Sequence, residues 1–583
     1  MFIKTLIDFY DRNRAKMKPP CHRSLEIDWL LELDDQGAFR GLTNVGEQNF
    51  QVIAPASMRS GGKVLAHLVV DNASYVLGHW KTSSTGRDRY NCYCSGVARA
   101  AEQIDNNALQ ALNSFAKSES ELKEALSVVE EKEVDYKDII LPVVEDMKLA
   151  CGVNSGPTEL HKSLHREWAR IFSEEYGAYL GQCLSCGEKK PILDRHEKVS
   201  LFGLYTSFVN MNEDAFMSHG LENSANAPMC AECVPKYVQP LRYLAGSERH
   251  KMRTRYDYEE GEASGWLAWL RDDDPGFTFD FVSRPEPEDA LDALKSLWRS
   301  RSRSVDANRF YAVSITASDN RFSIRNFQSL SLERVIEKTE EYFDRQALIR
   351  YGEHQTYSLF SLLEAAAPLT KNQSTGRQEP DRERLPPRFA DALVEHILTG
   401  HALPKSLRDR ALRRCRAEQS TAPTSQDDRR RVDYAVPVHR AALLKLFLSS
   451  QSDEPMPTKE LDREHPDPAY HCGRYLAVAD KVYYAESDGN LENYVSKRYY
   501  SSASTTPASV IGRIIPNVQH RLDKLRRERG GQATNLDKSI TQIMGQIGGF
   551  PKTLQPDEQA LFALGFYHQR DHEMTSSADD DDA

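Results

Sequence analysis

Cys183-Leu-Ser-Cys186-Gly187 and Cys230-Ala-Glu-Cys233 bring four soft ligands into two C-x-x-C pairs. Thiolates in that pattern suit tetrahedral zinc, and four protein ligands leave no open position for substrate water, so the chemistry they imply is structural. The 43 residues between Cys186 and Cys230 exceed the usual zinc-finger separation, and two unrelated buried cysteine pairs are the alternative. His196 stands near the first pair as a replacement ligand or as an ordinary surface or core histidine. Ten cysteines in 583 residues do not amount to a disulfide scaffold.

The second kind of chemistry is phosphate binding. A net charge of −11 and a pI near 5.9 argue against it on average, because counterion release needs positive charge on the protein. The average hides a segregation. Four acids, Asp579 to Asp582, close the chain, whereas Lys405, Arg408, Arg410, Arg413, Arg414 and Arg416 fall within twelve residues. Helical spacing lets Lys405, Arg410, Arg413 and Arg414 share one broad face that could follow a phosphate backbone, with Leu407 and Leu412 elsewhere around the helix. A second cluster comprises Arg521, Lys524, Arg526, Arg527 and Arg529. For either cluster the alternative is a solvated helix surface. Aromatics adjoin charge in Lys497-Arg498-Tyr499-Tyr500 and in Phe566-Tyr567-His568-Gln569-Arg570, a combination that stacks bases or, equally, fills a core or an interface.

Other chemistries lack their residues. Gly61-Gly62-Lys63 is followed by Val64 and lacks the first glycine of a phosphate-binding loop, so no ATP-driven engine is visible. No H-E-x-x-H and no paired-carboxylate nuclease pattern occurs, and no catalytic residue is assigned. Near the N-terminus, Lys4, Asp8 and Asp11 interrupt the apolar residues before a secretory segment or membrane span could form. The expectation is a cytoplasmic protein with no membrane partner.

The elements that position these residues read as α+β. A mixed α/β N-terminal portion spans 1–150, with β-rich runs such as QVIAPAS and KVLAHLVV before helical spacing at 95–130. A cysteine-rich zinc-knuckle insert covers 151–250. A mixed α/β to helical middle region covers 251–455; in it RFYAVSITASDNRFSIRNF predicts a hairpin turning at Ser318 to Asn320, and LERVIEKTEEYF an amphipathic helix. Polar stretches at 371–386 and 417–429 read as linkers or exposed loops, and the helical segments around them lead into an all-α bundle over 456–583.

Several segments in order, VDNASYVLG, the Cys183 to His196 stretch, SFVNMNEDAFMSHG with NSANAP, RFSIRNF, HPDPAYHCGRYLAVAD, RYYSSASTTP and FPKTLQPDEQALFALGFYHQR, resemble the large-subunit family of the type I-C CRISPR Cascade. The resemblance implies a non-catalytic component of a crRNA-guided complex. Such a component senses the short PAM in duplex DNA, promotes R-loop formation, holds the target and displaced strands, and helps recruit a separate helicase-nuclease. Its partners would be crRNA, target double-stranded DNA with its displaced single strand, the backbone and crRNA-processing subunits, and a small subunit. Within VDNASYVLG, Asn72 becomes a candidate groove contact, or a turn-capping asparagine, and Lys63 a candidate phosphate contact. The DNA-binding candidates are therefore Asn72, Lys63, Lys405, Arg410, Arg413, Arg414, Arg521, Lys524 and Arg527. Many relatives do not retain both cysteine pairs, so zinc here reads as an accessory fastening. The resemblance also makes Met456 a candidate internal start for a separately translated small subunit, an exposed methionine being the alternative. A metal-dependent nuclease and a crRNA scaffold without DNA contact remain rival readings.

Overall fold

Trp29, Leu31 and Leu33 are buried while Leu30 and Glu32 face outward, the period-2 signature of a strand with one covered face. In the computed structural model, which describes residues 2–55, 64–80, 83–209, 214–257, 262–300, 309–318, 321–372, 376, 378–418, 436–451, 457–487 and 494–581, this strand pairs parallel with Ile139–Val144. A parallel pair needs a long crossover, and the helices Ser83–Gln103, Asn107–Lys117 and Glu119–Glu131 occupy it. Asn106 and Ser118 cap the second and third of these helices by accepting the Leu109 and Glu121 N–H groups. Phe39–Asn44 extends the sheet on one side, and Asp71–Asn72 pairs with Ile139–Val144 on the other.

These elements belong to the first of two compact units, Met1–Ser247 with Arg271–Asp273 and Thr316–Ser323. The same unit holds the cysteine-bearing segment. There Gly177–Gln182 and Lys189–Leu193 form one hairpin, Lys198–Leu201 and Leu204–Ser207 a second, and the helix Cys233–Ala245 follows.

The second unit comprises Glu248–Leu270, Asp274–Ile315 and Ile324–Ala583. A four-stranded sheet runs in chain order through Lys251–Asp257, Glu262–Leu270, Arg309–Ser318 and Arg321–Ser331. The expected hairpin is the last pair; its turn residues 319–320 lie outside the described residues. Half-buried Asp391 ties this sheet to the helix Arg388–Thr399 by accepting hydrogen bonds from Trp266 Nε1 at 2.7 Å and Ser314 Oγ at 2.9 Å. LERVIEKTEEYF is helical within Leu332–Gln346.

The C-terminal bundle forms around Pro468–Glu486, which is buried almost all round because Gly530–Ile547, Pro507–Glu528 and Pro556–Asp581 surround it. Two glycines set its closest crossing. A Cβ on Gly473 would overlap the Phe562 carbonyl, and one on Gly565 would overlap the Tyr470 carbonyl, so each helix leaves a notch for the other's backbone. Tyr500, Phe566 and Tyr567 are buried and Tyr499 packs partly covered against the same core. Their aromatic signal is therefore that of packing, with Tyr500 edge-on to Phe566 at 5.4 Å. The α+β class with a helical C-terminal region is the architecture observed.

Two outcomes follow from this packing. Gly473→Ala should destabilise the protein by about 1–3 kcal/mol through overpacking, whereas Gly512→Ala, in open space on Pro507–Glu528, should be neutral or stabilising. Equal urea midpoints for the two variants would contradict the close crossing. The second outcome concerns acid. Burial holds His396 and His439 near 4 and His568 near 3, below their ordinary 6.5. The unfolded chain therefore takes up these protons first, and stability falls as pH drops through 6.5 toward the folded values. Burial raises Asp480 to about 6, which offsets part of the loss because that carboxyl is protonated first in the fold. For these four groups the net expectation between pH 7 and 5 is a loss on the order of 4 kcal/mol, and burial of His22, His165 and His196 adds to it; a stability that rises over that range would contradict it.

Candidate metal centre and nucleic-acid interface

The first hairpin ends at Gln182, and the chain turns through Cys183 to Glu188 before the returning strand. Cys183 N–H donates to the Glu188 carbonyl at 2.9 Å and Gly187 N–H to the Cys183 carbonyl at 2.9 Å. Gly187 has φ +75°, which a side chain would strain, so the glycine after the second cysteine is what closes this knuckle. The second knuckle opens the helix Cys233–Ala245, where Cys233 and Val234 N–H groups both reach the Cys230 carbonyl at 3.1 Å. Lys190 ties the two together, its ammonium 2.7 Å from both Glu188 and Glu232.

The result is that the Sγ atoms of Cys183, Cys186, Cys230 and Cys233 all lie within 4.8 Å of one another. A tetrahedral zinc with Zn–S bonds of about 2.3 Å would draw such sulfurs to about 3.8 Å apart, so small adjustments suffice. Three of the cysteines are buried and Cys186 is exposed. Ser185 and Cys230 N–H groups donate to Cys183 Sγ at 3.4 and 3.3 Å, the outer hydrogen bonds that favour a thiolate ligand. Cys230 is held down to about 5, chiefly by the hydrogen bond from Cys233, whose own thiol is pushed up in consequence. The donor set fits a metal ion, zinc by its softness, and that ion would fasten the knuckles together. His196 is not part of this cluster: it is a core histidine, its Nδ1 2.7 Å from the Tyr237 hydroxyl.

The first basic cluster lies on the helix Lys405–Ala417, and the fold divides it. Arg414 does not share an outward face with Arg410 and Arg413. It is buried, bonded to Glu418 and to the Ala367 carbonyl, because its position turns it toward the fully buried Arg440, which meets Glu418 at 2.9 Å. Arg408 is likewise buried against Asp409 and Asp557, and Arg416 donates to Gln559 at 2.9 Å. Arg413 and Lys405 are exposed and Arg410 is half-buried. Arg410 and exposed Arg388 both lie over the Phe389 ring, at 5.6 and 5.4 Å. Burial and then the positive charges of Arg413 and Arg388 lower the Arg410 pKa. None of Arg388, Arg410 and Arg413 has an acidic partner among the described residues. Arg388 was not legible in the sequence: it sits on another helix, outside the cluster, and only the fold brings it to Arg410.

The second cluster is largely self-paired. Arg521 bonds Glu486 and covers the Tyr483 ring at 4.0 Å, and Lys524 reaches the same Glu486 at 2.7 Å. Arg526 pairs with Asp523 and Asp537. Arg527 is exposed, with no ion pair among the described residues. Glu486, on Pro468–Glu486, has no local sequence signal that marks it as the clasp.

Asn72 is half-buried at the end of its short strand, opposite Ile139. Its Oδ1 accepts from Ser74 Oγ at 2.6 Å, so it does engage a local turn, and Ser74 in turn accepts from Arg89 at 2.9 Å. The Arg89 guanidinium lies 3.8 Å from the Trp80 ring centroid. Asn72 thus stands beside a polar and aromatic cluster. Lys63 and Met456 lie outside the described residues. No helix among the described residues is long and apolar enough to cross a membrane.

Fold and site together define an α+β protein with a four-cysteine centre and a face of arginines that have no acidic partner among the described residues. The chain belongs to the CRISPR-associated protein (Cas_Csd1) family, the large-subunit family of type I-C systems, whose family model matches residues 6–574. No curated protein matches it.

Zinc should co-purify at about one equivalent per chain, and Cys183→Ser with Cys230→Ser should release it and lower the thermal midpoint. Elemental analysis and calorimetry check this. Full stability without metal, or with both serines, would contradict a structural centre.

Proposed function

We propose that the chain is the non-catalytic large subunit of a crRNA-guided type I-C complex, one that recognises the PAM in duplex DNA, promotes R-loop formation and helps recruit a separate helicase-nuclease. Family membership over residues 6–574 supports the setting. The observation that carries the DNA-binding part is the trio Arg388, Arg410 and Arg413: three guanidinium groups without acidic partners among the described residues, on a chain whose net charge is −11.

The work of such a subunit is thermodynamic. Exchanging a DNA duplex for a guide–target heteroduplex is close to balanced, so a protein that binds the PAM and captures a strand tips it by a few kcal/mol without breaking a bond. Exposed arginines supply the strand capture, since phosphate contacts need charge and little base reading. Asn72, beside Ser74, Arg89 and Trp80, is the candidate for the PAM, because an amide side chain at a strand end can exchange hydrogen bonds with a base edge. The proposed partners are crRNA, target DNA with its displaced strand, the backbone and crRNA-processing subunits, the small subunit and the helicase-nuclease. Zinc, held by the four cysteines, would take no part in chemistry.

The test is binding by the assembled complex. Asn72→Ala should weaken PAM-containing duplex by about tenfold while leaving PAM-free duplex unchanged. Equal loss on both removes Asn72 from recognition. Turnover of labelled DNA by the purified chain with Mg²⁺ would overturn the non-catalytic reading.

A further inference from the structure

The strand Gly177–Gln182 presents an open edge. Its register with Lys189–Leu193, continued by the Cys183 N–H to Glu188 carbonyl bond, makes Gly181 with Lys190 and Tyr179 with Ile192 the hydrogen-bonded pairs. Leu180 and Gln182 therefore turn their N–H and C=O groups out of the hairpin, and neither has a backbone hydrogen bond on that side among the described residues. The far edge of Lys189–Leu193 is closed, for Leu193 N–H donates to the Met229 carbonyl and Ala231 N–H to the Pro191 carbonyl, both at 3.1 Å. The hairpin is thus finished on one side and unfinished on the other.

Such edges are normally guarded by charge, proline or a covering element, because unpaired strand groups template further pairing. Gly177–Gln182 has no charged residue and no proline, and Ala178, Tyr179, Leu180 and Gln182 are exposed. Leu180 is 66% exposed, and Leu184, just beyond Cys183, is 71% exposed. Tyr179 is also exposed, its ring lying against Gly181. The edge is anchored at both ends. The helix Glu159–Tyr176 runs straight into Gly177, whose N–H donates to the Ser173 carbonyl, and Cys183 of the metal centre follows Gln182 directly. A metal ion on the four cysteines would hold the strand in the shape a partner meets, which lowers the ordering cost of binding.

The chemistry of the edge selects its occupant. Alternating N–H and C=O groups are matched by another polypeptide backbone, whereas a phosphate is repelled by the carbonyls and finds no lysine or arginine on the strand. The partner residue paired with Leu180 lies beside its side chain, so that position demands an apolar residue. The contact is small. Free-standing protein pairs bury roughly 1,200 Å² or more, and the backbone of Leu180 and Gln182 with the exposed side chains of Tyr179, Leu180 and Leu184 falls well short of that. The edge therefore suits a chain already held in the same assembly rather than a self-sufficient dimer. We propose that Gly177–Gln182 receives, as an added strand, an extended apolar segment of another protein subunit of the crRNA-guided complex. The proposal rests on the assembly reading above and assigns it a contact.

The test measures binding of the full-length chain to the crRNA-loaded backbone and crRNA-processing subunits assembled without it. Leu180→Pro removes an outward N–H but keeps the hydrogen-bonded pairs of the hairpin, so the thermal midpoint should stay native while affinity falls about tenfold. Leu180→Lys keeps the N–H and adds the kind of charge that guards edges; it should weaken binding at least about threefold. Amide exchange in the peptide 177–182 should slow on assembly. Should Leu180→Pro unfold the hairpin, the lysine variant and the exchange decide. Native affinity in the variants with unchanged exchange would leave the edge in solvent and overturn the proposal alone. A concentration-dependent dimer of the isolated chain that Leu180→Pro dissolves would give the edge to a second copy and overturn it as well. If the native chain fails to bind those subunits at all, the assembly reading falls with it.

Discussion

In an acidic chain, an arginine can serve a phosphate only where no carboxylate reaches it first, and the fold decides which arginines those are. On Lys405–Ala417 the division is sharp. Arg408 and Arg414 turn inward to Asp409, Asp557 and Glu418, where Arg440 completes a buried group with charge of both signs. Removing one member of such a group strands the others without solvent, so these arginines are fixed by stability. Arg413 on the same helix, and Arg388 across from it, escape that fate; burial first, and then their two positive charges, depress the Arg410 pKa. The Phe389 ring beneath Arg388 and Arg410 offsets some of their repulsion through its negative face. Two positive charges sharing a ring, with no acidic partner among the described residues, gain more from a phosphate than from water.

The scaffold holding that face is built from helices that must approach closely. The notches at Gly473 and Gly565 let Pro468–Glu486 and Pro556–Asp581 meet backbone to backbone, and the buried side chains around them fill the remaining space. The same crossing carries the Tyr470–His568 hydrogen bond. In the first unit the hairpins around the cysteines are short, and two-stranded pieces of this kind are marginal alone. Four thiolates on one metal ion would supply the missing cohesion.

What could be read in the sequence was chemistry carried by residue type and short spacing. The cysteine pairs were legible because C-x-x-C is itself a geometry, and the gap of 43 residues between the pairs proved no obstacle, since the second hairpin and the loop before Cys230 lie within it. The Ser331-capped helix and the strands before it followed from periodicity. Outward arginines could not be told from inward ones by helical spacing, because Arg413 and Arg414 differ by one residue and only Glu418 and Arg440 decide the matter. Arg388 and Glu486 act through tertiary neighbours far along the chain. The aromatic runs around Tyr500 and Phe566 carried the ambiguity of all such runs, and packing resolved it.

The most direct test of the free-arginine face is the salt dependence of DNA binding. Affinity of the assembled complex for target duplex should be measured between 50 and 200 mM salt for the native chain and for Arg388→Gln, Arg410→Gln and Arg413→Gln combined, with Arg521→Gln and Lys524→Gln combined as the comparison. Loss of three phosphate contacts should flatten the logarithmic slope by about 2.7 in the triple variant, with a smaller change in the comparison, whose side chains already hold Glu486. An unchanged slope in the triple variant would contradict the account.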